Sequence, residues 1–178
     1  STYRATPQNI TAIRLNEEMR SVMSLMSRDI RRAGTNALAW QPSRLGWPNS
    51  FSTATTWTVT KMNGAPSNSC VTCAYNLFYT VTNAYATDPR NFFGYRLNAT
   101  GNGVVETYNH NAGQWSCNGT GWQPVTDPNI AWIQSLVFTV TNESGSPNLA
   151  VRTVIVTLKA ATNTRSTTPS AVTAADCS

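Results

Sequence analysis

Residues 15–34, LNEEMRSVMSLMSRDIRRAG, constrain the fold more than any other stretch of the chain. Leu15, Met19, Val22, Met23, Met26, Ile30 and Ala33 recur at helical spacing, which lines them along one face of a 3.6-residue helix. Glu17 and Glu18 read as its first turns and Arg31 and Arg32 as its last, a polarity that suits the helix macrodipole. Gly34 falls where a left-handed cap would end it. Proline is tolerated in a first helical turn, so the helix can begin as early as Pro7. An amphipathic helix needs something to bury its apolar face against, and nearly everything after it has the pattern of strands. The helix is therefore expected to lie on a sheet.

The strands follow one another without intervening helices. Residues 35–56, with Trp40, Pro42, Trp47 and Pro48, read as a long connection, and 56–62 as a short strand. Asn-Gly, Pro and Ser-Asn-Ser make 63–70 a turn. An apolar strand is expected over 73–82, and Asp88-Pro89 breaks the chain. FFGYRLN (92–98) and GVVETYN (103–109) form a hairpin about Asn98–Asn102. Trp115 to Gln123 reads as a Gly- and Trp-rich loop. The two longest strands are 130–142 and 149–161, joined by the turn NESGSPN; in the second, Arg152, Val154, Val156 and Leu158 form the face expected to turn inward. Residues 162–176 are a polar tail, and no internal repeat is visible. One helix followed by strands implies an α+β fold with an antiparallel sheet.

With 178 residues the chain is long enough for one domain with a real core. Only 12% of its residues are charged, well below the usual quarter, with Ser, Thr and Asn in their place. A net charge of +5 weakly favours acidic partners such as DNA or anionic lipid; a mildly basic surface without a dedicated partner accounts for it better. No run approaches the roughly 20 apolar residues of a membrane-spanning helix.

Four cysteines are present: Cys70, Cys73, Cys117 and Cys177. A zinc site would want a second close pair, and a thioredoxin-like motif would want a helix after Cys73. Neither context exists, so two structural disulfides in an oxidising compartment are expected. Of the three possible connectivities, Cys70–Cys73 with Cys117–Cys177 is favoured: a small local loop, and a staple for the tail. Catalytic chemistry is sparse. His110 sits in turn-like sequence, the acids Glu17, Glu18, Asp29, Asp88, Glu106, Asp127, Glu143 and Asp176 are scattered, and no metal or phosphate motif occurs. No catalytic residue, metal or cofactor is expected.

The helix resembles the segment just beyond the membrane span of PilW-type minor pilins, most specifically at MSRDIRRAG, Met26–Gly34. FGYRLN (Phe93–Asn98), the Trp-containing loop, TDPNI (Thr126–Ile130) and LVFTV (Leu136–Val140) are similar to the same proteins' sheet. J-type pseudopilins of type II secretion share the helix pattern. The resemblance implies a type IV pilin-like fold in which 1–34 is the C-terminal half of the long pilin helix and 35–178 the globular head. It also implies a leader and an apolar helical half ahead of residue 1, the leader removed by a peptidase that methylates the new N-terminus. The apolar half would anchor the protein in the inner membrane, facing the periplasm, before it joins an extracellular pilus. The implied function is a minor subunit of a tip or initiation complex that primes pilus assembly, with other minor pilins and the major pilin as partners.

Two other classes fit some residues. A DNA-binding pilus-tip protein of natural transformation would use Arg90, Arg96, Arg152, Lys159 and Arg165, with Trp115 and Trp122 stacking on bases; these tryptophans suit packing under loops better. A carbohydrate-binding module is suggested by six Trp and Asn/Thr-rich loops, but the leading helix argues against a pure sandwich.

Overall fold

In a computed structural model the helix, α1, runs Pro7–Arg32 and so begins at the proline. The structure describes residues 7–33, 57–74, 92–108, 115–143 and 151–162. Because α1 starts so early, Glu17 and Glu18 lie about three turns in, and its first turn holds no acid. Their macrodipole role is therefore corrected, since that effect decays within one turn. Arg31 and Arg32 do occupy the last turn. Gly34, the expected cap, lies outside the described residues.

The apolar stripe docks as its spacing requires. Val22 and Met26 are buried, Met26 completely. Leu15, Met19, Met23, Ile30 and Ala33 are partly buried against the same core, joined by Leu25 from the stripe's margin.

Five short strands form an antiparallel sheet in chain order: β1 (Trp57–Thr60), β2 (Cys70–Ala74), β3 (Phe92–Asn98), β4 (Val104–Tyr108) and β5 (Trp122–Pro124). β6 (Ala131–Glu143) and β7 (Val151–Thr162) pair with each other as a long antiparallel ribbon. The fold is α+β, an N-terminal helix packed on antiparallel sheet. Two strand limits differ from expectation. β2 begins at Cys70 rather than Cys73, and the expected strand residues 75–82 lie outside the described part. β5 occupies the end of the supposed Trp-rich loop; Pro124 is tolerated there because β5 is an edge strand.

Two turns fasten the ribbon to the sheet. The Asn68 carbonyl accepts from the Phe138 N–H at 2.8 Å, and Asn68 sits at φ 58° to present it. The Gly103 carbonyl accepts from the Ile133 N–H at 3.2 Å. At Gly103 the backbone has φ 59°, and a Cβ would lie 2.2 Å from the Ile133 carbonyl oxygen, so only glycine fits.

Alternation along the strands then fills the core. Val71, Cys73, Phe93, Tyr95, Leu97 and Val105 come from the sheet, and Ala131, Ile133, Leu136 and Phe138 from β6. A bulge between Ile133 and Ser135 explains why the buried β6 positions change from odd to even numbers. On β7, Val154, Val156 and Leu158 are half-buried as expected, while Thr153, Ile155, Thr157 and Lys159 face out.

Candidate interaction surfaces and the groups that fix them

The sheet face turned away from α1 is polar and closed by a covalent strap. β2, β3 and β4 place Cys70 opposite Arg96, and Arg96 opposite Glu106. Directly paired residues share a face, so all three project on the same side. Arg96 Nε donates to Glu106 Oε2 at 2.6 Å, with the two side chains only 11% and 10% exposed. Asn98 Nδ2 donates to the second Glu106 oxygen at 2.9 Å. Arg96 also donates to the Cys117 carbonyl at 2.7 Å, and its guanidinium lies 4.6 Å from the Trp122 ring centroid. A charge pair this far from water is held by neutralisation plus hydrogen bonds to the remaining polar groups.

Cys70 is bonded to Cys117, with Cα atoms 6.1 Å apart. This corrects both expected pairings. Cys70 and Cys73 lie in one strand, where residues three apart point to opposite faces with Cα atoms about 10 Å apart, beyond disulfide reach. Cys73 accordingly sits in the core and Cys70 under the strap. Cys117 is committed to Cys70, so it does not pair with Cys177, which lies outside the described residues.

The strap carries both tryptophans proposed for base stacking. Trp115 donates its indole N–H to the Phe93 carbonyl at 3.1 Å and packs on Phe92. Trp122 donates to the Ser116 carbonyl at 3.1 Å and packs edge-on against Tyr108. Gly94 makes room for it, since a Cβ there would meet the Trp122 ring at 2.9 Å and the Val71 carbonyl at 2.7 Å. Both rings serve packing. Arg96 is likewise withdrawn from the DNA-contact set, because its charge is spent on Glu106. Lys159 is exposed on β7. Arg90 and Arg165, the Arg152 side chain and His110 lie outside the described residues; of the five proposed cations the described residues place Arg96 on β3 and Lys159 on β7.

Polar contacts of Asp29 and Glu18 also tie α1 to the head beyond its apolar face. Tyr95 donates its phenol to Asp29 at 2.5 Å. Burial first, then the Asp29 carboxylate, raise the phenol above its ordinary range, so it stays a donor. Glu18 Oε1 accepts from the Asp127 N–H, while its Oε2 is buried without a partner. Desolvation raises the Glu18 carboxyl; the hydrogen bond from Asp127 opposes this and the Asp127 charge adds to it. Sequence reading missed both ties and the Arg96–Glu106 pair. The last had a usable signal, because a hairpin closed by Gly101 and Gly103 sets the two residues opposite each other.

Among the described residues no three His, Cys, Asp or Glu side chains gather to hold a metal ion. No described helix is long and apolar enough to cross a membrane.

A helix that closes the core of an antiparallel head defines a pilin-like class of protein. The model of the family of prepilin peptidase-dependent protein B (PpdB) matches residues 8–175, and the chain belongs to that family. It is thus a type IV pilus- or secretion-related protein, associated with the pilus system of the cell envelope. No curated protein and no solved structure matches it.

Proposed function

We propose that the chain is a minor pilin, a structural subunit of a type IV pilus tip or initiation complex that primes pilus assembly. It is made as a prepilin, resides in the inner membrane facing the periplasm, and passes into the extracellular pilus. Its partners are other minor pilins and the major pilin, and it works by packing rather than catalysis. The observation that carries this reading is α1 itself. One side completes the core through Val22 and Met26, while Ile10, Ile13, Arg20 and Arg28 on the other side are exposed. In a prepilin-peptidase-dependent family, such a two-sided helix suits a subunit that joins a filament.

A J-type pseudopilin of type II secretion is the second reading, supported by the same helix-on-sheet arrangement. DNA binding is disfavoured by the Arg96–Glu106 pair and by the packed Trp115 and Trp122. A carbohydrate-binding module is disfavoured because α1 is part of the core.

Deletion and complementation separate these readings. Loss of the gene should reduce surface pili while leaving type II secretion of exoproteins intact; the reverse pattern selects the pseudopilin. Normal piliation and normal secretion together would refute both.

A further inference from the structure

We propose that the outward side of α1 docks an acidic amphipathic segment of a different pilin-like subunit; this rests on the filament-subunit reading above. At 100° per residue, Ile10, Ile13, Glu17, Arg20, Arg28 and Arg31 fall within about 80° of arc, on the far side of the helix from Met26. All six are exposed, Ile10 at 44% and Ile13 at 55%. The surface extends about 32 Å along the axis at 1.5 Å per residue. It is apolar at its N-terminal end and basic toward its C-terminal end. The acids of α1 do little to neutralise that end. Glu18 is turned to the Asp127 N–H and Asp29 to Tyr95, and although Arg28 reaches Asp29 at 3.2 Å its side chain stays 65% exposed.

This distribution selects the partner. A nucleic-acid backbone gains nothing from Ile10 and Ile13 and is repelled by Glu17. A second copy fits poorly in either direction: antiparallel pairing sets the arginines of one copy on the isoleucines of the other, and parallel pairing sets arginine on arginine. The complement is a protein segment with apolar side chains facing Ile10 and Ile13 and carboxylates facing Arg20, Arg28 and Arg31. Like-charge juxtaposition would reject basic neighbours.

The test is photocrosslinking in cells from the full-length protein carrying a benzophenone amino acid at Ser24, which lies on this face, with the same probe at Thr157 on exposed β7 as comparison. The Ser24 probe should capture another pilin-like subunit at a segment carrying Asp or Glu. Arg20→Gln/Arg28→Gln/Arg31→Gln, which keeps side-chain bulk, should cut the yield at least tenfold with unchanged melting; the triple Glu variant should cut it further. A captured segment without acids, a second copy of this chain, or a yield unaffected by the Gln variant overturns the proposal. So does binding of a 20-bp DNA duplex that the Gln variant abolishes. Capture of a pilin-like subunit from Thr157 but not Ser24 overturns this surface and leaves the filament reading standing. Capture from neither position counts against both.

Discussion

Glu106→Ala isolates the buried polar cluster. The substitution removes the anion that Arg96 meets at 2.6 Å and leaves the guanidinium 11% exposed. Removing one partner of such a pair costs about 3–5 kcal/mol, because the remaining charge stays desolvated. Here Arg96 keeps the Cys117 carbonyl at 2.7 Å and the Trp122 face, so the lower end, about 3 kcal/mol, applies. For a chain of this size that corresponds to a melting temperature lower by about 6–12 °C. Urea unfolding followed by tryptophan fluorescence should show a lower midpoint with an unchanged slope. Arg96→Met combined with Glu106→Leu should recover most of the loss, since both charges are then gone and the volume is kept. A loss below about 1 kcal/mol for Glu106→Ala would show the pair to behave as an exposed salt bridge and would refute the buried-cluster account. A double variant worse than the single one would refute the assignment of the cost to an unpaired charge.

Met26→Ala removes a fully buried side chain and should cost about 2–5 kcal/mol, while Ile13→Ala on the open side should stay within about 0.5 kcal/mol; equal effects in thermal melts would mean that the docked face is misassigned. Non-reducing peptide mapping should recover Cys70 linked to Cys117, and Cys70→Ser with Cys117→Ser should lose about 4 kcal/mol by loop entropy for a separation of 47 residues. A Cys70–Cys73 peptide would overturn the strand assignment at β2. Burial raises the Glu18 carboxyl above its ordinary value of 4.5, so the folded state binds its proton more tightly than the unfolded chain. Its contribution therefore falls as pH rises through the window just above that value. Glu18→Gln should flatten the stability profile there, and an unchanged profile would show the carboxyl to be solvated.

The helix and the β3–β4 hairpin were legible because each rests on a local code. The stripe from Leu15 to Ala33 has one period, and Asn98–Gly103 has turn chemistry that leaves one register. The chain's antiparallel α+β class follows from the same patterns. What escaped was set by distant partners. The start of β2 at Cys70 follows Ser-Asn-Ser, whose local preference is a turn, and without that strand the Cys70–Cys73 spacing looked like a loop rather than two opposite faces. The β6 bulge is invisible in composition, since a one-residue shift in burial needs the partner strand to reveal it. Arg96 looked like a surface cation because most arginines are exposed. Only the register with Glu106 and the position of Cys117 show that it is buried.

These details explain how so few charges hold a sheet with two covers. One face of the β2–β4 sheet is closed by the apolar core it shares with α1 and β6, and the other by the Cys70–Cys117 strap over an ion pair. Neither cover is an accessory. Tyr95 and Arg96 are adjacent in β3, yet one reaches Asp29 on the helix and the other the strap carbonyl of Cys117. The alternation of a single strand thus fastens both layers, and displacing either would uncover polar groups as well as core. Beyond these covers, the outer side of α1 and the outer face of the β6–β7 ribbon both carry exposed apolar side chains. The first combines exposed isoleucines with arginines. The second is threonine-rich, with Ile155 at 55% exposure and Trp132 at 40%. On the proposed filament-subunit reading, two such unlike surfaces would meet different neighbours on different sides, and the sheet's double cover would keep them in fixed relation.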